Sequence, residues 1–357
     1  MNTLHTTIIA AIVFIAACSC KYVAQNNSNP TVIDFSMGIS FPPVANTEQM
    51  NFTAPLLKEL NVNRIRFAED WSLREPVEGN FNRNPLDERI NWAEKNNFEM
   101  LLTIQSNGAP WACNTTLKNA NSCVYSDHNK FKNYIEKLLQ RYPNKIAKIQ
   151  FGNEWQTEFW YIGNEQQFVT VSNIVYDAIQ QFSPNTKFVL GGFTTISLRF
   201  LAGCNGLINE FYDDEGNHYD RALLNINCNT PKIKTIRNRI DYVLNNARYD
   251  FVDIHLYDDV ENWDIYYKNI KSMVQKPIII SEFGGPNVNI ESVSEDYQAN
   301  QLKKYITAIN LMDVTEAYFF KLVEGSNNPT HSKSGLIDFH TLSKKKNFEV
   351  FKNTIRK

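Results

Sequence analysis

The sequence lacks an excess of either charge. Its 357 residues include 36 Lys and Arg against 38 Asp and Glu, without a strongly basic tract. A nucleic-acid-binding protein needs a cationic face, so that class of partner is excluded. Apolar residues make up 43% of the chain and charged residues 21%, which is a globular composition and excludes a disordered or fibrous chain. Aromatic residues reach 13%, which is high for a soluble protein, and carbohydrate-handling proteins are one class that uses such rings on the surface.

A hydrophobic run long enough to cross a bilayer is also missing. The apolar segment at residues 8–17 has ten residues, which is too short for a transmembrane helix but fits the core of a signal peptide. It ends in Ile15-Ala16-Ala17-Cys18, which resembles the lipobox of bacterial lipoproteins, where the signal is cut before the cysteine and the cysteine carries the lipid. The resemblance implies an exported bacterial lipoprotein, periplasmic or on the outer membrane or cell surface, whereas an ordinary signal peptide cleaved nearby is the alternative. The implied divisions are a signal peptide at 1–17, lipidation of Cys18, a flexible tether at 18–30 and a folded domain at 31–357.

The cysteine spacing of a zinc site is absent too. Apart from Cys18 and Cys20 in the export region, four cysteines remain, without a CxxC pair or a nearby pair of histidines. In an oxidising compartment, four such thiols indicate two disulfides, and zinc binding is the less favoured alternative. Three pairings are possible, and we expect the two local ones, each of which closes a single loop: Cys113–Cys123 and Cys204–Cys228.

What the chain does contain is one pattern, repeated: a short apolar strand, a polar loop and an amphipathic helix. Helical periodicity is clearest at residues 131–142, 168–182 and 233–247, and the last of these has Thr230 as N-cap and Pro231 at its first position. Near-continuous apolar strands that alternate with helices predict a parallel sheet covered on its outer face. We predict a single-domain α/β protein, a closed (β/α)₈ TIM barrel. A doubly wound sheet is the alternative, but a Gly-rich phosphate loop is missing after the first strand. The predicted strands are 32–40, 64–71, 99–105, 146–153, 187–194, 250–257, 277–282 and 317–322.

In such a barrel, functional side chains are expected where strands end at the carboxyl face. Two carboxylates occupy such positions: Glu154 ends the fourth strand, in Phe151-Gly152-Asn153-Glu154-Trp155, and Glu282 ends the seventh, in Ile280-Ser281-Glu282-Phe283-Gly284. The ends of strands four and seven lie across the barrel mouth from each other. Two facing carboxyl groups are what acetal hydrolysis requires, one as proton donor and one as nucleophile or stabilising anion.

These motifs resemble those of clan A glycoside hydrolases, with a leaning towards families 5 and 39. Arg66 resembles the strand-two arginine that pairs with the nucleophile, and His255-Leu256-Tyr257 resembles the strand-six motif whose tyrosine bonds it. Gly108-Ala109-Pro110-Trp111 is similar to the strand-three loop whose tryptophan lines the sugar cleft. The sequence departs from these families in strand eight, which lacks the usual tryptophan, and in Trp155, which stands where many members have proline.

The resemblance implies a retaining β-glycoside hydrolase that forms a covalent glycosyl-enzyme, with Glu154 as acid/base and Glu282 as nucleophile. No cofactor or metal is called for, and we expect a monomer whose partners are a β-linked glycan and the membrane. A non-catalytic glycan-binding protein and a transglycosylase are the rival hypotheses. The expected substrate-binding residues are Asn153, Arg66, His255, Tyr257, Trp111 and Trp155.

Several other residues stay open on the sequence alone. Trp160, Tyr161 and Trp263 are either sugar platforms or packing residues, and the insertion at 200–229 is a candidate wall of the cleft. Three acidic residues near strand ends are expected to be surface or subsite groups: Glu69, Asp70 and Glu324.

Overall fold

The computed structural model describes residues 33–116, 122–285, 293–325 and 333–355. The signal peptide, Cys18 and the tether lie outside these residues, so the predictions about export and anchoring stay predictions. Among the described helices, none has the length and apolar character needed to cross a membrane.

The core of the fold is a closed barrel of eight parallel strands in which each strand pairs with its neighbours in the sequence. The first strand closes the ring, because Gly38 pairs with Arg64 on one side and with Tyr318 on the other. The predicted (β/α)₈ barrel is therefore confirmed, and the doubly wound alternative is wrong. The strands are β1 (Ser36–Ser40), β2 (Arg64–Glu69), β3 (Glu99–Ile104), β4 (Lys148–Phe151), β5 (Lys187–Phe193), β6 (Phe251–Tyr257), β7 (Ile278–Gly284) and β8 (Val314–Phe320).

Helices connect the strands and cover the outside of the barrel. The three predicted amphipathic helices form, and the third begins at Pro231 with the Thr230 side chain accepting from the Ile233 N–H. The helices are α1 (Thr47–Glu59), α2 (Trp71–Arg74), α3 (Asn84–Lys95), α4 (His128–Arg141), α5 (Glu165–Phe182), α6 (Thr195–Cys204), α7 (Arg221–Asn227), α8 (Pro231–Asn246), α9 (Trp263–Met273), α10 (Glu295–Ile309) and α11 (Lys346–Ile355).

The interior of the barrel changes character from one end to the other. At the amino-terminal end, ion pairs cross it: Lys148 lies 3.1 Å from Glu316, and Arg64 lies 3.2 Å from the same carboxylate. Above them is an apolar layer of four buried side chains, and above that layer come polar groups that lead to the mouth. The apolar layer consists of Leu101, Val189, Ile279 and Tyr318.

Two disulfides close loops at the mouth end of the fold. Cys113–Cys123 joins the two strands of a short hairpin after β3, and Cys204–Cys228 joins the end of α6 to the residue after α7. The predicted pairing is confirmed, so these thiols are not zinc ligands. Disulfides persist in oxidising compartments, which indicates an extracellular or periplasmic location.

We predict that the double variant Cys204→Ser/Cys228→Ser unfolds with a free energy lower by roughly 2–4 kcal/mol, because the disulfide restricts the unfolded chain. Urea unfolding measures the difference. The double variant Cys113→Ser/Cys123→Ser is the matched control and should lose less, since its cysteines are 10 residues apart rather than 24. Unchanged stability in both variants, or free thiols in non-reducing peptide maps of the wild type, would contradict the prediction.

Candidate active site

Glu282 lies on β7 with its carboxylate held from two sides. The Arg66 guanidinium on β2 donates from Nη1 to Oε1 at 2.5 Å, and the Tyr257 hydroxyl at the end of β6 donates to Oε2. Only 7% of Glu282 is exposed. These contacts arise because β2, β6 and β7 end at the same face of the barrel.

The surroundings of Glu282 keep it ionised. Burial by itself raises the pKa of this carboxyl group, but the positive charges of His255 and Arg66 and the Tyr257 hydrogen bond outweigh burial and lower the pKa to about 2. Tyr257 shows the opposite effect, because burial and the Glu282 charge raise the pKa of its hydroxyl well above the usual value. Glu282 is thus an anion and Tyr257 a neutral donor at neutral pH.

Arg66 organises the polar layer around Glu282. Its side chain is fully buried, and a buried guanidinium needs acceptors for its N–H groups because it can only donate. The strand ends that surround it supply oxygen atoms at 2.5–3.1 Å. The acceptors are Ser40, Thr103, Gln150, Asn153 and Glu282.

Glu154 follows β4 in a backbone conformation that side chains rarely adopt. Its φ is +46°, in the left-handed region, and such strain in a non-glycine residue tends to occur at functional sites. Its carboxylate is one-fifth exposed, and Oε1 lies 2.9 Å from Nδ1 of His255. Glu154 therefore faces both the solvent in the mouth and a buried imidazole.

His255 lies between the two glutamates. Its Nδ1 contacts Glu154, while Nε2 lies 3.7 Å from Oε1 of Glu282. Burial lowers the pKa of the imidazole, but the charges of Glu282 and Asp253 and the bond to Glu154 outweigh it and raise the pKa to about 10. The two carboxylates thus lie on opposite nitrogens of one protonated ring.

Gly192 on β5 leaves the space that this ring occupies. A Cβ atom at this position would lie 2.2 Å from Nε2 of His255 and 2.6 Å from Oδ2 of Asp253. A glycine at this point of β5 is therefore a condition for the imidazole to stand between the carboxylates.

The expected substrate-binding residues divide into two groups. Asn153 and Tyr257 lie beside the carboxylates, whereas Arg66 and His255 are 0% exposed and contact the carboxylates of Glu282 and Glu154. The expectation that Trp155 contacts substrate is wrong. Its ring is also 0% exposed, stacks on Phe168 and donates to a backbone carbonyl on β5.

The role of Trp111 as a sugar platform stays a prediction. The indole N–H donates to the Glu75 carbonyl at 2.9 Å, and the ring packs edge-on against Trp71. Trp263 and Tyr161 are buried packing residues, and Trp160 is half-buried against Phe159.

The three acidic residues near strand ends have structural contacts. Glu69 is buried between Arg74 and Arg89, and Glu324 is buried against Lys345. The expectation of surface or subsite groups is therefore wrong for these two, because arginine or lysine partners make their burial tolerable. Asp70 caps α2 by accepting from the Ser72 N–H.

Two aromatic residues that the sequence did not single out lie beside the site. Phe320, at the end of β8, packs edge-on against Tyr257 with ring centroids 6.0 Å apart, and against Phe41 at 5.9 Å. The Phe41 ring also lies 5.0 Å from the Arg66 guanidinium carbon. Phe320 is the last residue of β8, and its place at a strand end was the available signal.

A cavity of about 830 Å³ borders the loop that follows Glu154. Gln156 and Thr157 line it from that loop, and Phe200, Tyr219 and Asn227 line it from the insertion at 200–229. Its volume is in the range of ligand-binding pockets, roughly 300–1,000 Å³. The insertion therefore walls a space that also borders the loop after Glu154, but neither Glu154 nor Glu282 is among the residues that line this space.

Part of the chain matches a known protein family. The family model described as Glycosyl hydrolase catalytic core matches residues 228–345, a segment that contains His255, Tyr257 and Glu282. The resemblance to glycoside hydrolases is confirmed. No curated protein matches the sequence as a relative.

Solved structures with the same fold are also glycoside hydrolases. A family 39 enzyme from the gut symbiont Bacteroides cellulosilyticus WH2 has a TM-score of 0.58 and 12% identity, over 90% of this chain and 64% of that chain. A GH5_18 protein from Streptomyces cattleya, in complex with GlcNAc, has a TM-score of 0.64 and 11% identity, over 91% and 80%. Xylanase 10B from Thermotoga petrophila RKU-1, in complex with xylobiose, has a TM-score of 0.57 and 15% identity, over 90% and 94%. At such identities the likeness establishes the fold, and together with the family match it supports glycosidase activity.

Among the residues that the structure describes, no cluster of three or more His, Cys, Asp or Glu side chains is arranged to hold a metal ion.

We predict that Gly192→Ala displaces His255 and costs about 1–3 kcal/mol of unfolding free energy, the usual cost of overpacking a core. The added Cβ would meet two buried polar side chains. Gly203→Ala is the control, because its Cβ would meet only the end of the Leu224 side chain at 2.9 Å, which can rotate away. Denaturant unfolding of both variants tests the prediction, and equal losses would contradict it.

Proposed function

We propose that the protein is a retaining β-glycoside hydrolase that acts on a β-linked polysaccharide or oligosaccharide. The observation that supports the proposal is that two facing carboxylates differ in burial and in their hydrogen-bond partners. Glu282 is buried among donors that favour its anion, whereas Glu154 is partly exposed and contacts an imidazole that holds a proton. Such an asymmetry separates a nucleophile from a proton donor.

In the first step, Glu282 attacks the anomeric carbon while Glu154 gives a proton to the departing glycosidic oxygen. The proton comes from the pair formed by Glu154 and Nδ1 of His255, whose atoms are 2.9 Å apart. This step forms a covalent glycosyl-enzyme. It leaves His255 as a neutral imidazole with a single N–H. Asn153, which accepts from Arg66 at 2.9 Å, would bond the sugar 2-hydroxyl, a contact that strengthens in the transition state.

In the second step, Glu154 acts as a base. It removes a proton from water, whose oxygen attacks the anomeric carbon, and the Glu282 carboxylate leaves. Arg66 and Tyr257 stabilise that leaving anion as they do in the free enzyme. The proton returns to the pair of Glu154 and His255, so the cycle balances without a cofactor.

The mechanism determines on which side of the mouth the leaving group lies. The proton donor must contact the leaving oxygen, so the sugar that departs lies on its side of the mouth. Assays on β-mannan, xylan, β-glucan and galactan identify the sugar.

The roles of the two glutamates are tested by azide rescue on an activated aryl β-glycoside. Glu154→Ala should lose roughly 10²–10⁴-fold in rate, and azide should restore turnover with a product of retained β configuration, since azide needs no base. Glu282→Ala cannot form the glycosyl-enzyme, so azide should attack from the opposite face and give the α product.

Glu165→Ala on α5 is the control for loss of a glutamate elsewhere and should keep wild-type turnover. Products of opposite configuration would mean that the two roles are reversed. Absence of turnover by the wild type on every β-glycoside would favour a glycan-binding protein, and transfer to a second sugar instead of water would identify a transglycosylase.

A second prediction concerns the low-pH limb of kcat/KM, which reports protonation of Glu282. Tyr257→Phe removes a hydrogen bond to the anion, so the pKa of Glu282 rises and activity is lost at higher pH as the solution is acidified. A hydrogen bond to a charged group contributes about 1.5–3 kcal/mol, which corresponds to a shift of about one to two pH units.

Tyr266→Phe is the matched control, because its hydroxyl bonds Asp259 and not Glu282. An acidic limb at the same pH in Tyr257→Phe and in the wild type would contradict the assignment of Tyr257.

A further inference from the structure

Asp253 is a buried carboxylate that the proposed reaction leaves unused. It lies on β6 two residues before His255 and is 0% exposed. Its Oδ2 accepts from Nε2 of Gln150 and from the Ser281 hydroxyl, each at 2.6 Å, and its Oδ1 accepts from the Ser281 N–H at 2.7 Å. A carboxylate that is buried away from water needs hydrogen-bond donors of this kind. Their arrangement determines which atoms of the neighbouring side chains carry hydrogens.

Arg66 determines which groups donate and which accept in these hydrogen bonds, because a guanidinium can only donate. Its Nε lies 3.0 Å from Oε1 of Gln150, so the amide oxygen of Gln150 faces Arg66. The Thr103 hydroxyl donates to the same oxygen at 2.7 Å. The NH₂ group of Gln150 must therefore face Asp253.

The same reasoning continues from Asp253 to His255. An ionised carboxylate only accepts, so the contact with Ser281 uses the one hydroxyl hydrogen of that serine. The Ser281 oxygen can then only accept from Nε2 of His255, which lies 3.2 Å away, and Oδ2 of Asp253 lies 3.3 Å from the same nitrogen. Nε2 of His255 therefore carries a hydrogen, and Nδ1 is left to face Glu154.

We propose that Asp253 is a positioning residue: it fixes the hydrogen on Nε2 of His255, so that Nδ1 is the nitrogen that exchanges a proton with Glu154. The proposal rests on the glycosidase function proposed above and extends it to a carboxylate that does not touch substrate. The charge of Asp253 also keeps the shared proton in the pair of His255 and Glu154 to higher pH.

The charged groups that face His255 come from three elements. Glu154 follows β4, Glu282 lies on β7 and Asp253 lies on β6, while β5 contributes Gly192 without a side chain. Arg66 reaches the same space through Glu282 and is the opposing cation. Because three carboxylates surround the ring, it keeps its second proton, and removing one of them should release that proton at lower pH.

The test is the near-isosteric variant Asp253→Asn. We expect the alkaline limb of kcat/KM on an aryl β-glycoside to move to lower pH by about one unit or more, the usual effect of a charge within a few ångströms. Glu69→Gln is the control, since Glu69 is an equally buried carboxylate that pairs with Arg74 and Arg89, and its alkaline limb should stay at the wild-type pH. An unmoved limb in Asp253→Asn, with a turnover that can be measured, would overturn the proposal.

A second measurement needs no turnover, and its readout comes from the wild-type protein. Nitrogen-15 NMR of the wild-type imidazoles, with His255 assigned by its loss in His255→Gln, reports which ring nitrogen carries hydrogen. We expect Nε2 to stay protonated through the titration and Nδ1 to be the nitrogen that changes. Loss of the hydrogen from Nε2 would overturn the proposal even in an active enzyme, whereas an inactive wild type with the expected signals would overturn only the glycosidase function.

Discussion

The guanidinium of Arg66 is a positive charge held entirely away from water, and most of the mouth is arranged around it. An unpaired charge at this depth would cost several kcal/mol, so the strands that surround it each supply an oxygen atom. Ser40 comes from β1, Thr103 from β3, Gln150 from β4 and Glu282 from β7. One side chain thereby connects four strands besides its own and fixes the register of the barrel where the chemistry is proposed. Pairing with Arg66 also favours the anionic form of Glu282, so the same contact serves both fold and reactivity.

The barrel interior is layered, and an apolar layer separates the polar groups of the mouth from a second polar region. Leu101, Val189, Ile279 and Tyr318 form an apolar layer below the polar groups of the mouth. The ion pairs of Arg64 and Lys148 with Glu316 lie below that layer. The two polar regions are thus separated, and each contains oppositely charged partners of its own. Polar side chains at the mouth then bond to one another, because the apolar layer offers them no partners.

Much of the fold could be predicted from sequence because strands buried on both faces are continuously apolar, and that signal survives without an alignment. The strand ends were less certain. The first strand begins at Ser36, four residues after the predicted start, and β7 continues two residues past Glu282. Hydrogen bonding with neighbouring strands decides such limits, and a single strand's composition does not report it.

The candidate site divides along similar lines. Glu154, Glu282 and Tyr257 could be placed because strand ends meet at one face of a barrel. Trp155 could not, because the left-handed backbone at Glu154 redirects the chain, and the next side chain turns back into the core. Asp253 was missed for another reason: a polar residue within a strand carries no sign of which partners surround it.

The position of Gln150 affects whether the free-energy effects of two substitutions in the site add. Its amide oxygen accepts from Arg66, and its NH₂ group donates to Asp253, so it connects the support of one glutamate to the support of the other. Residues that share one hydrogen-bond network show interaction free energies of about 0.5–3 kcal/mol in double-mutant cycles. The free-energy effects of substitutions on the two sides of the mouth should therefore not add. The interaction free energy between them should largely disappear when Gln150 is replaced by a residue with an apolar side chain.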